Sequence, residues 1–290
     1  MSLKKIFVTF LKRIARISAI PFKIKYILFS IDNRFHHILP IGKDFVFEKY
    51  LSDVKVKINL LYPVEKAMLF GEYDPIVSRV LNKFLTRASV IIDVGANVGA
   101  FTLQLAKIAN SGRIIAIEPG PPTYARLLEN LELNPDIQKI VSVLQIGISD
   151  NAGKLYWAED QNNRGNAGLL GAEGIEVEVL TLDSIIENEG LKKLDFVKID
   201  VEGMEYEVIK GGINSINKYR PVLYYETLEP FRDIRGFDLY GMIFNMLQKI
   251  NYRHFYILNY NEFVEVYSMD ILLSSDILAV PDEKVIILIK

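Results

Sequence analysis

The chain has 290 residues, which fits one or two domains, and half of them are hydrophobic, which is ample material for a buried core. It contains no cysteine, which excludes disulfide bonds, thiolate metal sites and cysteine nucleophiles. The net charge of −2 and the isoelectric point near 6.0 disfavour nucleic acid as a general partner, because no overall positive field would attract a polyanion.

The N-terminal segment, residues 1–31, is basic and has apolar residues at helical spacing. Its first 25 residues carry no acidic side chain and the following cations: Lys4, Lys5, Lys12, Arg13, Arg16, Lys23 and Lys25. It lacks the apolar run of about 18 residues that a transmembrane helix requires. One interpretation is an interfacial helix attracted to anionic lipid, and the other, which we favour, is a helix packed on the domain or a partner. We expect a cytoplasmic protein, to which the first interpretation adds peripheral contact with the inner face of the membrane.

Two segments of alternating polar and apolar residues, Asp44–Glu48 and Val54–Ile58, predict exposed antiparallel strands. A helical region follows over Glu65–Leu85. We therefore divide the chain into an N-terminal extension of helix and short strands, residues 1–64, and a main domain, residues 65–290.

The main domain opens with a strand, a glycine turn and a helix. Val90–Ile92 is an uninterrupted β-branched run, which is typical of a parallel strand covered on both faces. Gly95 and Gly99 allow the backbone to turn sharply and to lie close to a ligand. Apolar residues at helical spacing from Phe101 onward indicate a helix that begins near Gly99. This arrangement is a nucleotide-cofactor site in outline.

The next strand, Arg113–Ile117, ends at Glu118, where a carboxylate can accept hydrogen bonds from both ribose hydroxyls. A dinucleotide site would need a glycine in the first turn, where Asn97 stands, to make room for the pyrophosphate. The spacing therefore suits an adenosine with an amino-acid tail better than a dinucleotide.

Strands and helices alternate through the rest of the chain, which predicts a doubly wound, Rossmann-like α/β sheet. The principal predicted elements are helices Thr123–Leu133 and Leu239–Ile250 and strands Ile140–Gln145, Leu194–Ile199, Pro221–Tyr225, Arg253–Leu258, Phe263–Val266 and Ile277–Val280.

Three further segments are less regular. Lys154–Ala158 and Ile175–Leu180 predict an antiparallel pair, and the polar stretch between them, Glu159–Gly174, predicts a loop that would serve as a substrate lid. Asp183 is expected to cap the N-terminus of a helix. Glu229–Gly236 is interpreted as a polar connection.

Four acidic residues follow predicted strands: Asp93, Glu118, Asp200 and Glu226. Because open α/β sheets bind ligands beyond the carboxyl ends of their strands, we expect these side chains to converge on one edge of the sheet. Lys198 alternates to the same face as Asp200, so it is expected to pair with an acidic neighbour and hold it ionised.

The motifs Asp93-Val-Gly-Ala-Asn-Val-Gly99, Glu118-Pro119 and Lys198-Ile-Asp-Val-Glu-Gly203 together resemble the FkbM-type methyltransferases that use S-adenosylmethionine. The resemblance covers roughly Glu65 to Glu226 and implies a class I methyltransferase fold. One departure is Met204, which stands where the family usually has histidine.

The resemblance implies roles at the cofactor. Gly95 and Gly99, with Asn97 in the same turn, would make room for its backbone. Asp93 would bind the amino group of S-adenosylmethionine directly or through water, and Glu118 the ribose. Gly147 and Ile148, after the third strand, would flank the adenine.

For the methyl transfer, the resemblance places Asp200 and Glu202 near the reacting methyl group. A carboxylate there would orient an acceptor hydroxyl and take its proton. Alternatively, Asp200, Glu202 and Glu226 would hold a divalent cation that lowers the hydroxyl pKa. We favour direct action by the carboxylates, with Lys198 as their partner and no metal.

The sequence thus predicts an O-methyltransferase whose acceptor, by the resemblance, is a sugar or glycan hydroxyl or a small-molecule natural product. Two alternatives remain open at this point. One is an NAD-dependent nucleotide-sugar oxidoreductase, against which Asn97 and the motif ending at Gly203 count. The other is a non-catalytic cofactor-fold module tethered to membrane by residues 1–31, which would not need the acidic strand ends.

Overall fold

The computed structural model of the protein describes residues 42–70, 80–159, 167–171, 173–259, 262–268 and 275–289. The basic segment 1–31 lies outside these residues, so the interfacial helix and the membrane contact stay predictions. Within the described ranges, no helix combines the length and the apolar character needed to cross a membrane.

Strands and helices alternate through the described residues. The strands are β1 (Phe45–Tyr50), β2 (Val54–Ile58), β3 (Val90–Val94), β4 (Arg113–Ile117), β5 (Val141–Leu144), β6 (Gly147–Ile148), β7 (Gly153–Glu159), β8 (Ala167–Gly171), β9 (Ile175–Leu180), β10 (Phe196–Ile199), β11 (Val222–Thr227), β12 (Tyr252–Asn259), β13 (Glu262–Val266) and β14 (Ser275–Pro281). The helices are α1 (Pro63–Phe70), α2 (Ala100–Ile108), α3 (Pro121–Glu132), α4 (Pro135–Gln138), α5 (Leu182–Asn188), α6 (Glu205–Gly211), α7 (Ile213–Tyr219), α8 (Glu229–Arg235), α9 (Leu239–Gln248) and α10 (Ile286–Ile289).

The central sheet has the strand order β13-β12-β14-β11-β10-β3-β4-β5. The strands from β11 to β5 are parallel, whereas β14, β12 and β13 each pair antiparallel with their neighbours. From β3 the chain moves outward through β4 and β5, and then continues on the other side of β3 with β10 and β11. Such a reversal marks the crevice where open α/β sheets bind ligands. The predicted doubly wound α/β fold is confirmed.

Hydrophobic layers cover both faces of the parallel strands, which explains their uninterrupted apolar sequences. In β3, Ile91 packs in a cluster with Phe101 of α2, while its neighbour Ile92 packs in a second cluster on the opposite face. Ile114 and Ile115 of β4 divide between the same two clusters. The sheet is therefore held rigidly between its helices, and the ends of its strands are fixed points for functional side chains.

The hairpin β1–β2 pairs antiparallel, but it is exposed on one face only. Val56 and Ile58 are fully buried, in the same cluster as Phe101. The Tyr50 hydroxyl also donates a hydrogen bond to the backbone oxygen of Ala100, at 3.0 Å. The prediction of exposed strands is wrong for this face, because alternate residues of the hairpin cover α2. The predicted division of the chain into two domains stays a prediction.

The stretch Glu159–Gly174 is not simply a loop. Ala167–Gly171 forms β8, which pairs antiparallel with β7 at the edge of a second sheet of order β6-β9-β7-β8. The antiparallel pair of β7 and β9 is confirmed. Leu169 of β8 is buried beside Trp157 of β7, so one apolar contact anchors a strand within a polar stretch. Residues 160–166 lie outside the described ranges.

Two smaller expectations were also wrong. Glu229–Gly236 is mostly helical, as α8, and Phe231 packs this polar helix against the hydrophobic core. Thr181, not Asp183, caps α5, and its hydroxyl oxygen accepts the Ser184 N–H at 3.1 Å. The Asp183 carboxylate instead accepts the backbone N–H of Ser215 at 2.8 Å, which ties α5 to α7.

Candidate functional site

The turn after β3 brings the ends of two strands into close contact. Gly95 has φ +78°, and a Cβ built on it would lie 1.8 Å from the backbone oxygen of Asp200. No other residue fits there, because both the left-handed backbone and the close approach exclude a side chain. Gly95 also donates its N–H to the Ile117 oxygen at 2.9 Å, so the turn is joined to β4 as well.

The same turn has two more left-handed residues. Asn97 has φ +51°, a conformation that asparagine adopts more readily than most residues, and Gly99 has φ +88° where α2 begins. A Cβ on Gly99 would lie 2.5 Å from a methyl carbon of Leu127 on α3. Gly99 therefore allows α2 and α3 to pack closely, in addition to any room it gives a ligand.

A cavity of about 240 Å³ lies beyond the carboxyl ends of the parallel strands. Its lining includes most of the predicted site residues: Gly95, Asn97, Glu118, Gly147, Ile148, Asp200, Glu202 and Glu226. Pro63 and Val64 of α1 and Gly168 and Leu169 of β8 also line it. Asp93, Gly99 and Lys198 lie outside this lining. The cavity therefore gathers residues from sites far apart in the sequence, as expected for a switch point.

Glu118 forms a fixed hydrogen-bond acceptor at one end of the cavity. One of its oxygens accepts the N–H of Gly120 at 2.9 Å and the hydroxyl of Thr123 at 2.6 Å, and the other accepts the N–H of Asn97 at 2.8 Å. Burial raises its pKa, and these hydrogen bonds counteract that rise. Because a carboxylate has about four acceptor positions and three are filled, Glu118 retains capacity for about one hydroxyl group of a ligand. No sequence pattern had pointed to Thr123.

Lys198 is a buried cation beneath the cavity. Its Nζ lies 3.3 Å from Asp93 Oδ1, 3.3 Å from Asp200 Oδ2 and 2.7 Å from the Gly95 backbone oxygen, to which it donates. Its side chain is 2% exposed and that of Asp93 is 0% exposed. The predicted pairing of Lys198 with an acidic neighbour is thus present in the structure, with two carboxylates instead of one.

Asp93 lies below the cavity surface. Its Oδ2 accepts a hydrogen bond from the Thr102 hydroxyl at 2.5 Å, and Lys198 approaches its Oδ1. Direct contact with a cofactor amino group, one of the two predicted modes, does not fit this position, because the side chain is enclosed by protein atoms. Asp93 instead supports Lys198 from below.

The other end of the cavity is acidic. Asp200, Glu202 and Glu226 line it, and Asp276 of β14 lies directly opposite Glu226 in the strand register. Burial, and then the charge of Asp200, raise the pKa of Glu202 to about 8. Burial, and then the charges of Asp200 and Asp276, raise the pKa of Glu226 to about 8. These carboxyl groups are therefore poised to exchange protons near neutral pH.

Glu202 is also conformationally unusual. Its φ is +54°, and no group of the described chain donates a hydrogen bond to its buried Oε2. A strained, non-glycine residue with an unsatisfied oxygen at a cavity wall is the pattern expected of a functional group.

Within the described residues, no group of three or more acidic or histidine side chains is arranged to hold a metal ion.

Glu205 is an acidic residue of this region that the sequence did not single out. It is 2% exposed, and its Oε1 accepts the N–H groups of Val201 and Gly203, both at 3.2 Å. Burial raises its pKa to about 7. A sequence signal did exist, because an acidic residue at the start of a helix commonly accepts free backbone N–H groups.

Comparison with known proteins places this geometry in a family context. The family model described as the methyltransferase FkbM domain matches residues 93–254, more than half of the chain. Methyltransferase sdnD of Sordaria araneosa is 32% identical, over 42% of this chain and 59% of the relative. Hexuronic acid methyltransferase AglP of Haloferax volcanii is 31% identical, over 53% and 62% respectively. The 2-O-methyltransferase NoeI of Sinorhizobium fredii is 26% identical, over 45% and 60%, so this chain spans about three fifths of each relative.

Replacing Lys198 with methionine is expected to lower the free energy of unfolding by about 3–5 kcal/mol, because Asp93 would become an uncompensated buried charge. Urea unfolding followed by the fluorescence of the single tryptophan, Trp157, measures this loss.

The matched control is Lys210→Met. Lys210 pairs with Asp150 at 2.7 Å on the surface, and an exposed ion pair contributes little to stability. Its urea midpoint should stay near that of the wild type. Equal shifts in the two variants would contradict the structural importance assigned to the buried cation.

Proposed function

The chain belongs to the FkbM methyltransferase family, and on this premise we propose that it transfers the methyl group of S-adenosylmethionine to a hydroxyl oxygen. The observation that carries the proposal is one cavity with two chemically different ends. Glu118 and the turn containing Asn97 form a hydrogen-bonding end, and Asp200, Glu202 and Glu226 form an acidic end. The family assignment gives no support to the oxidoreductase or to the non-catalytic module.

The hydrogen-bonding end fits an adenosine. Glu118 has about one acceptor position left for a ribose hydroxyl, and its three internal hydrogen bonds hold it in place before binding. Apolar atoms of Ile117, Ile146 and Ile148 line the neighbouring wall and suit the flat faces of an adenine ring. The backbone at Gly95, close to both Asp200 and Lys198, would then border the amino-acid tail.

The acidic end fits the chemistry of the acceptor. S-adenosylmethionine supplies an activated methyl group on a sulfonium, so the protein mainly has to align the acceptor oxygen and remove its proton. As the new C–O bond forms and the C–S bond breaks, the hydroxyl proton would pass to the Glu202 carboxylate. A pKa of about 8 is well matched to a general base that works near neutral pH. Asp200 and Glu226 would orient the hydroxyl groups.

For the acceptor, we propose a sugar or glycan hydroxyl, with a small-molecule natural product as the second choice. The names of two relatives, a hexuronic acid methyltransferase and a 2-O-methyltransferase, support a carbohydrate-like acceptor and transfer to oxygen. The acidic wall supports it independently, because carboxylate oxygens are acceptors that match the many hydroxyl donors of a sugar.

Calorimetric titration is expected to show binding of S-adenosylhomocysteine but not of NAD, with no change on addition of EDTA. In the Glu118→Ala variant the affinity should fall about tenfold or more, because the ribose loses its hydrogen bond and the turn containing Asn97 loses an anchor. Glu132→Ala, which removes an exposed carboxylate at the far end of α3, the helix that follows Glu118, is the control and should bind like the wild type.

Binding of NAD alone would overturn the proposed cofactor. Loss of S-adenosylhomocysteine binding with EDTA would instead favour the divalent cation at the acidic residues. An unchanged affinity in Glu118→Ala would remove the ribose assignment and leave the family assignment intact.

Turnover with an acceptor found in a panel of monosaccharides, glycosides and alcohol-bearing natural products should rise with pH to a midpoint near 8, because Glu202 must lose its proton to act as the base. Glu202→Gln should reduce kcat by about 100-fold or more, and its remaining activity should not follow this midpoint. Asp200→Asn should lower the midpoint, because Asp200 is one of the charges that raise the pKa of Glu202. Full turnover in both variants would mean that the base is another group.

A further inference from the structure

The turn between β10 and α6 contains two consecutive left-handed residues, Glu202 at φ +54° and Gly203 at φ +95°. Glycine adopts this conformation freely, whereas a glutamate does so at a cost in free energy that the surrounding contacts must offset. Since Glu202 lines the acidic end of the cavity, its strained backbone determines where its carboxylate lies.

Glu205 makes the contacts that bracket this residue. A single oxygen of its side chain, Oε1, accepts the N–H of Val201, directly before Glu202, and the N–H of Gly203, directly after it. The side chain is 2% exposed, so these hydrogen bonds do not compete with water. One of the two peptide groups that flank Glu202, Glu202–Gly203, is thereby tied to a buried atom, and so is the Asp200–Val201 group at the start of the turn.

The second sheet closes the turn from the opposite side. A Cβ built on Gly168 of β8 would lie 3.3 Å from the Cβ of Glu202, so the backbone of β8 packs directly on the strained residue. Met204, two residues after Glu202, is 4% exposed and packs with Trp157 and Leu169. Methionine at this position therefore acts as an apolar anchor for the turn.

We propose that Glu205 is a positioning residue, which holds Glu202 in the left-handed conformation that presents its carboxylate to the cavity. This inference rests on the proposed methyl transfer, in which Glu202 takes the acceptor proton. It adds a residue that touches neither acceptor nor cofactor and acts through the backbone on both sides of the base.

Two substitutions of Glu205 can distinguish the effect of its side-chain length from the effect of its charge. Oε1 accepts both hydrogen bonds, while the buried Oε2 accepts none from the described residues. Glu205→Gln can therefore keep both bonds through its amide oxygen while losing the negative charge. Glu205→Asp keeps the charge but shortens the side chain by one methylene, which withdraws the acceptor from both N–H groups.

Two measurements test the proposal on the full chain. Hydrogen exchange at the Val201 and Gly203 amides, followed by NMR, reports the two hydrogen bonds to Glu205 without requiring a methyl acceptor. It should be slow in the wild type and in Glu205→Gln, and faster in Glu205→Asp. With the acceptor found in the panel, kcat should fall about tenfold or more in Glu205→Asp and stay close to the wild-type value in Glu205→Gln, because a misplaced base loses its alignment.

Affinity for S-adenosylhomocysteine should be unchanged in both variants, since Glu118 lies at the other end of the cavity. Glu207→Asp is the matched control, because it shortens an acidic residue in the first turn of the same helix that pairs with Arg235 outside the cavity. It should behave as the wild type in both measurements.

Low kcat in Glu205→Gln with normal kcat in Glu205→Asp would overturn the proposal in favour of a charge effect. Wild-type exchange and kcat in Glu205→Asp would overturn it outright. Failure of the wild type to bind S-adenosylhomocysteine would refute the proposed function instead, and the exchange data would still decide whether Glu205 fixes the turn.

Discussion

The site depends on one buried cation. Lys198 lies between Asp93 and Asp200 and donates to the Gly95 oxygen, so a single ammonium group contacts the ends of both β3 and β10. Two carboxylates this close together would repel one another without it, and one of them is fully buried. The close approach of Gly95 to the Asp200 backbone, which allows no side chain, is the steric counterpart of the same junction. Together they fix the point from which both ends of the cavity are built.

Backbone strain occurs on both sides of this junction. Asn97 and Glu202 are left-handed without being glycine, and each belongs to a turn that follows one of the two joined strands. Each has a carboxylate that fixes the turn through backbone N–H groups, Glu118 for Asn97 and Glu205 for the residues around Glu202. The two turns thus share one device, in which a buried acceptor offsets the cost of a conformation that places a side chain or an N–H group at the cavity.

The sequence predicted the features that are repeated along the chain or tied to backbone geometry. The β-branched run Val90–Ile92 and the apolar strand Arg113–Ile117 identified two central strands, because a strand buried on both faces is largely apolar. It did not predict β8, because the Gly-rich polar sequence around this strand conceals the buried contact of Leu169. It also did not predict the hydrogen bonds of Glu205, because a local pattern does not show which backbone groups a side chain will meet after folding. The burial of Asp93 was hidden for a similar reason, since a residue at a strand end can point toward the ligand or beneath it.

At the acidic end of the cavity, a rise in pH lowers the stability of the fold while it ionises the proposed base. In the folded protein the pKa values of Glu202 and Glu226 are near 8 and that of Glu205 is near 7, all above the ordinary value of 4.5. Between pH 4.5 and 8 the folded chain therefore binds more protons at these groups than the unfolded chain does, and their contribution to stability falls as the pH rises. Over the same range a growing fraction of Glu202 loses its proton and becomes able to act as the base. The positive charge of Lys198 lowers the pKa of Glu202 and so acts against the repulsion that develops as the carboxyl groups ionise, whereas the charge of Glu205 adds to that repulsion. Lys198 therefore favours free carboxylates at the acidic end although it does not line the cavity itself.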